Sequence, residues 1–279
     1  MEFRLFSGVF LKMGKIINIG RWLSLDISSG GAILHYFLCK KMFLPYEPIV
    51  GMALFFSILS IYTFDHLRDS LTHQNTSSQR RLIFQKNTNY WYVYLGLLLV
   101  VALTSLFFLP LQLIMWGLAL GIFCVFYLLL SGKLSRVYSK ELVAAALYSC
   151  GIFLDPILRV TENWLFPALL VIHLFLLAFA NLVLIAMFEL QEDRHEGFHS
   201  LVITFGYLRM KKVLSAILVL CMLTAMVGIA SDTFPDIYVF YLLSALVLLL
   251  ILLFPSWFRR QERYRVVADG IFFIPLFLL

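Results

Sequence analysis

Long apolar runs alternate with short polar breaks along most of the chain, and the runs have the length of membrane-crossing helices. A helix needs about 20 mostly apolar residues to traverse the hydrocarbon core of a bilayer. In lipid, only a backbone that is hydrogen-bonded within the segment is tolerated, so such runs are read as helices. Nine are found, over residues 22–43, 47–69, 90–109, 111–131, 141–158, 164–189, 213–231, 236–257 and 266–279. The first is interrupted by Asp26, Ser28, Ser29, Gly30, Gly31 and His35. The last, at 14 residues, is too short for a full crossing at about 1.5 Å per residue. The expected fold is an all-α membrane protein, a bundle of about nine transmembrane helices forming one domain over residues 1–279. Residues 1–20 carry short apolar stretches broken by Lys12 and Lys15. They read as an interfacial amphipathic segment and not as a cleaved signal peptide.

Composition strengthens this picture. The chain is 62% hydrophobic and only 14% charged, against about 25% charged in soluble domains, which could not hide so much apolar surface. Charge supplies the orientation. With the N-terminus in the cytoplasm, all of the 22 Lys and Arg residues except Lys40, Lys41 and Arg159 fall on the inside, a strong positive-inside bias. The expectation is a multi-pass integral membrane protein with its active face cytoplasmic, as in a bacterial inner membrane. Topology accounts for the net charge of +6, so no nucleic-acid partner is implied. Cys39, Cys124, Cys150 and Cys221 show no metal-binding spacing and read as buried thiols. P-loop, nucleophile-elbow and zincin signatures are absent.

Candidate chemistry sits in two polar clusters. The second run closes on Tyr62-Thr63-Phe64-Asp65-His66-Leu67-Arg68-Asp69, and the sixth on Glu189-Leu190-Gln191-Glu192-Asp193-Arg194-His195-Glu196-Gly197. Asp65 and Asp69 are four apart, as are Glu189 and Asp193, so each pair projects from one helix face. Two readings stand at this point. The clusters are wet helix ends with ordinary surface ion pairs, or the four carboxylates converge to hold hard divalent cations, chiefly Mg²⁺ shared with substrate phosphates. In the second case Arg68, Arg80, Arg81, Lys133, Arg136 and Arg194 are placed to meet phosphate oxygens.

The second cluster, Glu189-x-x-x-Asp193-Arg194-x-x-Gly197-x-x-Ser200-Leu201 followed by Phe205-Gly206, resembles the second aspartate-rich motif of the UbiA-type intramembrane prenyltransferases. The window of residues 61–69 falls where that family carries N-D-x-x-D-x-x-x-D. Asp65, Asp69, Asp193, Arg194 and Gly197 match, while Ile61-Tyr62 replace the leading Asn-Asp and Glu189 replaces an Asp. The nine-run layout extends the resemblance over most of the chain.

The resemblance implies Mg²⁺-dependent transfer of a prenyl group from a prenyl diphosphate to a small-molecule acceptor, aromatic or a quinone precursor. Asp65, Asp69, Glu189 and Asp193 would be the metal ligands, with Asp65, Asp69 and Asp193 as catalytic residues. Arg68, Lys133, Arg136 and Arg194 would bind the diphosphate. Tyr62, Tyr127, Phe64 and Tyr148 would face the allylic cation, which aromatic rings stabilise by up to about 2 kcal/mol each when desolvated. The departures motivate an alternative: a catalytically degenerate member that binds a prenyl lipid or a partner without turnover.

Four further features are read structurally. His173 and Asn181 are expected to bond between helices, and Gly117 and Gly121 to mark close helix packing. The basic run 259–265 reads as a topology determinant. Asp155 reads as a helix-end residue remote from the cytoplasmic cluster. A transporter would need more charges at membrane depth than Asp26, Asp155 and Asp269.

Overall fold

The computed structural model describes Gly20 and residues 23–72, 79–134, 140–160, 164–231 and 234–279. The expected interfacial segment 1–20 lies almost wholly outside the described residues. Every regular element described is helical, and no strand occurs among the described residues.

Among the described residues, seven helices are long and apolar enough to cross a membrane. They are α2 (Pro48–Thr72), α4 (Thr88–Leu106), α5 (Leu111–Leu134), α6 (Lys140–Arg159), α7 (Leu165–His195), α9 (Tyr207–Ala230) and α10 (Pro235–Leu253), preceded by α1 (Leu25–Lys41). Short helices α3 (Gln79–Lys86), α8 (Leu201–Phe205) and α11 (Pro255–Arg259) lie in the connections, and α12 (Arg263–Gly270) leads into a 3₁₀ stretch, Ile271–Phe277. Local chemistry explains several boundaries. Pro235 and Pro255 each open a helix, where the missing N–H costs nothing. Pro275 lies within the 3₁₀ stretch, and the ninth apolar run is consequently a helix of eight residues plus a tighter turn, not one α-helix.

The first run does form a helix, of 17 residues, or about 25 Å. The small residues that interrupt its hydrophobicity are the reason it packs. A Cβ on Gly30 would stand 2.7 Å from Phe272 Cβ, and one on Gly31 would stand 2.6 Å from Ile58 Cδ1. Glycine therefore lets α1 approach both α2 and the C-terminal 3₁₀ stretch.

Helix α7 is the axis of the core. Leu170, Leu174, Leu177, Ala180, Val183 and Leu184 on it are fully buried against α6, α9 and α10. At 31 residues it spans about 46 Å, well beyond a hydrocarbon core of about 30 Å. The sixth run therefore continues as helix through the acidic cluster and holds it rigidly beyond the apolar part. The expected bonds between helices are found. Asn181 Nδ2 donates to Asp269 Oδ1 on α12 at 3.2 Å, and His173 is hydrogen-bonded to the Cys221 backbone on α9 while stacking on the Tyr241 ring with centroids 4.2 Å apart. Helices α4 and α5 present Leu97, Met115, Trp116 and Phe123 outward, as a lipid-facing surface requires.

Candidate active site

One cavity of about 1040 Å³ runs through the bundle. One end of it is polar. The last turns of α2 bring Asp65, His66 and Asp69, and the last turns of α7 bring Glu189 and Asp193. All four carboxylates expected from the two motifs thus line the same space. They are joined there by Asp26 from α1, Lys140 and Glu141 from α6, and Arg265 and Asp269 from α12. Below this head the walls are apolar, with Leu54, Ile58, Leu113, Leu120 and Leu147 among them. Tyr62, Phe64, Tyr127 and Tyr148 all line the cavity.

The second motif is legible as backbone chemistry. Gly197 has φ +76°, a left-handed conformation that glycine adopts without steric cost. Phe198 N–H donates to Asp193 O at 2.8 Å and Gly197 N–H to Arg194 O at 3.4 Å, the Schellman pattern that ends a helix. Three residues later Ser200 caps α8, its Oγ accepting from Ile203 N–H at 3.3 Å. Glu141 Oε1 accepts the Leu201 N–H at 3.1 Å. The Gly-x-x-Ser-Leu half of the motif therefore turns the chain sharply beside Asp193, which is buried. Gly206, at φ +86°, makes the next turn into α9.

The basic residues are distributed differently from the sequence expectation. Arg68 folds back on its own helix, donating to Asp65 at 2.9 Å and Asp69 at 3.3 Å, and also to the Leu128 carbonyl. Arg194 is exposed on the outer side of the α7 end. Neither lines the cavity. The side chains of Lys133 and Arg136 lie outside the described residues, as do those of Arg80 and Arg81. Among the described residues, the Lys and Arg side chains that line the cavity are Lys140 and Arg265. The basic run 259–265 therefore is more than a topology determinant, because its last member turns inward. Arg265 contacts Glu189 Oε1 at 2.5 Å, and the Tyr264 hydroxyl donates to the same oxygen at 3.1 Å. Burial, then the Glu189 charge, raises the Tyr264 hydroxyl above the ordinary phenol range, so it stays a donor. Burial works against the Arg265 charge, but Glu189 outweighs it and the guanidinium is held cationic.

Two more readings are corrected. Gly117 and Gly121 line the cavity, and a Cβ on Gly121 would meet nothing within 4 Å. Gly121 hollows the α5 wall and seats no neighbouring helix, whereas a Cβ on Gly117 would reach Leu154 Cδ2 of α6 at 3.9 Å, so Gly117 also lies against that helix. Asp26 and Asp269, which the hydropathy pattern shows only as isolated charges, both belong to the polar head of the cavity. Asp155 is remote from that head, as expected, but it is buried in a cluster of its own with Arg159, His35 and Cys39.

Two solved structures share this fold. One, from work on a digeranylgeranylglyceryl phosphate synthase in membranes, superposes with a TM-score of 0.57 over 96% of this chain and 95% of that one, at 15% identity. The other is the apo structure of a UbiA homologue from Aeropyrum pernix K1, with a TM-score of 0.63 over 92% of this chain and 96% of that one, at 13% identity. The fold is thus the UbiA-type fold to which the two motifs pointed. No family model matches the chain, and no curated protein matches its sequence.

Proposed function

We propose that the protein transfers a prenyl group from a prenyl diphosphate to a small-molecule acceptor inside the membrane. The observation that carries this reading is the single cavity in which Asp65, Asp69, Glu189 and Asp193 form one end and apolar side chains the walls beyond. The end suits a charged diphosphate and the walls suit a hydrocarbon tail. The two solved structures of like fold, a digeranylgeranylglyceryl phosphate synthase and a UbiA homologue, support the same class of activity.

The donors at the head are carboxylate oxygens, the hard ligands that Mg²⁺ prefers. Among the described residues these carboxylates do not form a trio with oxygens within 4.8 Å of one another. An ion held there would have its coordination completed by substrate phosphate, the usual arrangement for Mg²⁺. Asp65 and Asp69 on one helix end, and Glu189 and Asp193 on the other, would hold it. When bound, Mg²⁺ neutralises the diphosphate charge and makes it a competent leaving group.

The chain's own residues do the rest. Lys140 and Arg265 add positive charge beside the leaving group. Tyr62, Phe64, Tyr127 and Tyr148 line the space where the allylic cation develops and offer their ring faces to it. The apolar walls keep water from intercepting the cation. The acceptor, an aromatic or quinone-precursor nucleophile, forms the new C–C or C–O bond, and its proton passes to a base at the polar end. The active face is the cytoplasmic one in this reading, because the positive-inside bias puts both motifs there.

A second reading rests on one observation: Arg68 engages Asp65 and Asp69, and Arg265 engages Glu189. Three of the four carboxylates are thereby partly neutralised by the chain itself. A protein that grips a prenyl diphosphate or lipid without turnover would keep this arrangement. The test separates the two. Purified protein is incubated with Mg²⁺, labelled prenyl diphosphates and candidate acceptors, and released pyrophosphate is measured. Turnover that falls at least about a hundredfold in Asp193→Asn is the expected result. Diphosphate binding with no release under any acceptor would replace the enzyme with the binding protein.

A further inference from the structure

At the end of the bundle remote from Asp65 and Asp193, three potential metal ligands meet. His35 and Cys39 are four residues apart on α1, so both face the same way, and Asp155 comes from the last turns of α6, 14 residues beyond Glu141 and so about 20 Å along that helix. All three are buried. They are the one trio of His, Cys, Asp or Glu among the described residues whose ligand atoms all lie within 4.8 Å of one another. We propose that His35, Cys39 and Asp155 form a binding site for a borderline-soft divalent ion, Zn²⁺, distinct from the carboxylate head.

Long sulfur hydrogen bonds, with Cys39 Sγ donating to Asp155 Oδ2, join the three directly, and their spacing also suits a shared ion. His35 Nε2 is 3.7 Å from Asp155 Oδ2, too far for an N–H···O hydrogen bond, whose commonest length is about 2.9–3.0 Å. Cys39 Sγ stands 3.7 Å from His35 Nε2 and 3.9 Å from Asp155 Oδ2. A triangle with these edges has a point about 2.2 Å from every corner, and Zn–N, Zn–O and Zn–S bonds run about 2.0–2.3 Å. The edges are also within a few tenths of an ångström of the roughly 3.3–3.6 Å edges of a tetrahedral zinc face built from those bond lengths.

The surroundings orient all three ligands. His35 Nδ1 lies 3.3 Å from the Ile152 carbonyl. Donation from Nδ1 to that oxygen leaves the Nε2 lone pair facing the cluster, as for a metal-ligating histidine with an outer-shell acceptor. Asp155 Oδ1 is held by Arg159 Nε at 2.6 Å, which turns Oδ2 toward Cys39 and His35. Arg159 is itself balanced by Glu47 at 3.0 Å. A zinc ion with one thiolate and one carboxylate is locally neutral, and Arg159 with Glu47 is neutral as well, so a metallated cluster leaves no net charge at depth. Binding is a ligand exchange without redox change: the Sγ–H bond breaks, the Zn–S bond forms, and the proton leaves to solvent.

His35 and Asp155 line the same long cavity. A three-ligand site beside a cavity keeps a fourth position for water or for an oxygen of whatever fills it. Imidazole and thiolate in the donor set select Zn²⁺ over the Mg²⁺ expected at the all-oxygen head.

The full-length protein in detergent, stripped by chelator, is titrated with Co²⁺ as the spectroscopic stand-in for zinc. The expected result is the visible d–d absorption of tetrahedral Co²⁺ together with a near-ultraviolet thiolate-to-cobalt charge-transfer band, both abolished by one equivalent of Zn²⁺. Cys39→Ser removes the charge-transfer band, and Asp155→Asn weakens binding by more than about tenfold, the loss that even an outer-shell change produces. Cys124→Ser and Asp193→Ala leave the spectrum unaltered. A wild-type protein with no thiolate band, or a band that survives in Cys39→Ser, overturns the proposal. The wild-type spectrum decides this without any variant, and neither outcome bears on prenyl transfer.

Discussion

At the scale of single residues, the second motif is as much a folding signal as a chemical one. Asp193 is set where α7 must stop, and Gly197 stops it by taking φ +76°. An L-residue in that region costs about 1–2 kcal/mol. Gly197→Ala should therefore lower the thermal midpoint in detergent by a few degrees, although nothing lies within 4 Å of the added Cβ. An unchanged midpoint would mean that the turn is not needed to hold the end of α7. The substitution also isolates backbone from contact, because strain is the one cost that remains. Glu189 makes the opposite point: its extra methylene carries the charge out to meet Arg265 and Tyr264, two residues that no spacing rule joins to it.

At the scale of elements, the glycines on two helices do different work. Those of α1 are filled by Phe272 and Ile58, so they serve packing. Those of α5 face the cavity, and Gly121 has open space beside it. Gly121→Leu should fill that space without unfolding the bundle. If prenyl transfer is the activity, kcat/KM for the longest prenyl diphosphates should fall at least about tenfold while short ones are spared, since each methylene accommodated or excluded is worth about 1–3 kcal/mol. Equal loss for every chain length would show that the tail does not pass this wall. The helix pair α1 and α2 likewise shows why the first run is hard to read. Its polar and small residues lower its apparent hydrophobicity while supplying its contacts and two cavity-lining groups, Asp26 and His35.

At the scale of the whole molecule, the arrangement turns a sequence asymmetry into a polar and an apolar end of one space. Both acidic motifs close long helices, and the orientation proposed from the positive-inside bias puts those ends in the cytoplasm. Surface labelling tests that assignment. In a Cys150→Ser background, whose remaining native cysteines are buried, a cysteine at Gln191 should react with an impermeant maleimide only from the cytoplasmic side. One at Phe43, 88% exposed at the other end of the bundle, should react only from the opposite side. The reverse pattern would invert the topology and put the acidic head outside.

Much of this protein is written locally. Apolar run length, Lys and Arg placement, the i, i+4 carboxylate pairs and the Gly197 stop depend on neighbours within a turn or two, so sequence alone determined an all-helical membrane bundle and the two acidic helix ends. What depends on distant segments coming together was left to the tertiary structure. It brought Asp26, Arg265 and Asp269 to the head, folded Arg68 onto Asp65 and Asp69, left Arg194 exposed on the outer side, and opened a cavity along Gly117 and Gly121. It also gathered His35, Cys39 and Asp155 into one buried cluster. The physical reason is that in lipid the hydrophobic pattern specifies only that a helix is embedded. Which of its faces meets another helix is decided by shape and by polar pairing, and neither leaves a period in the sequence.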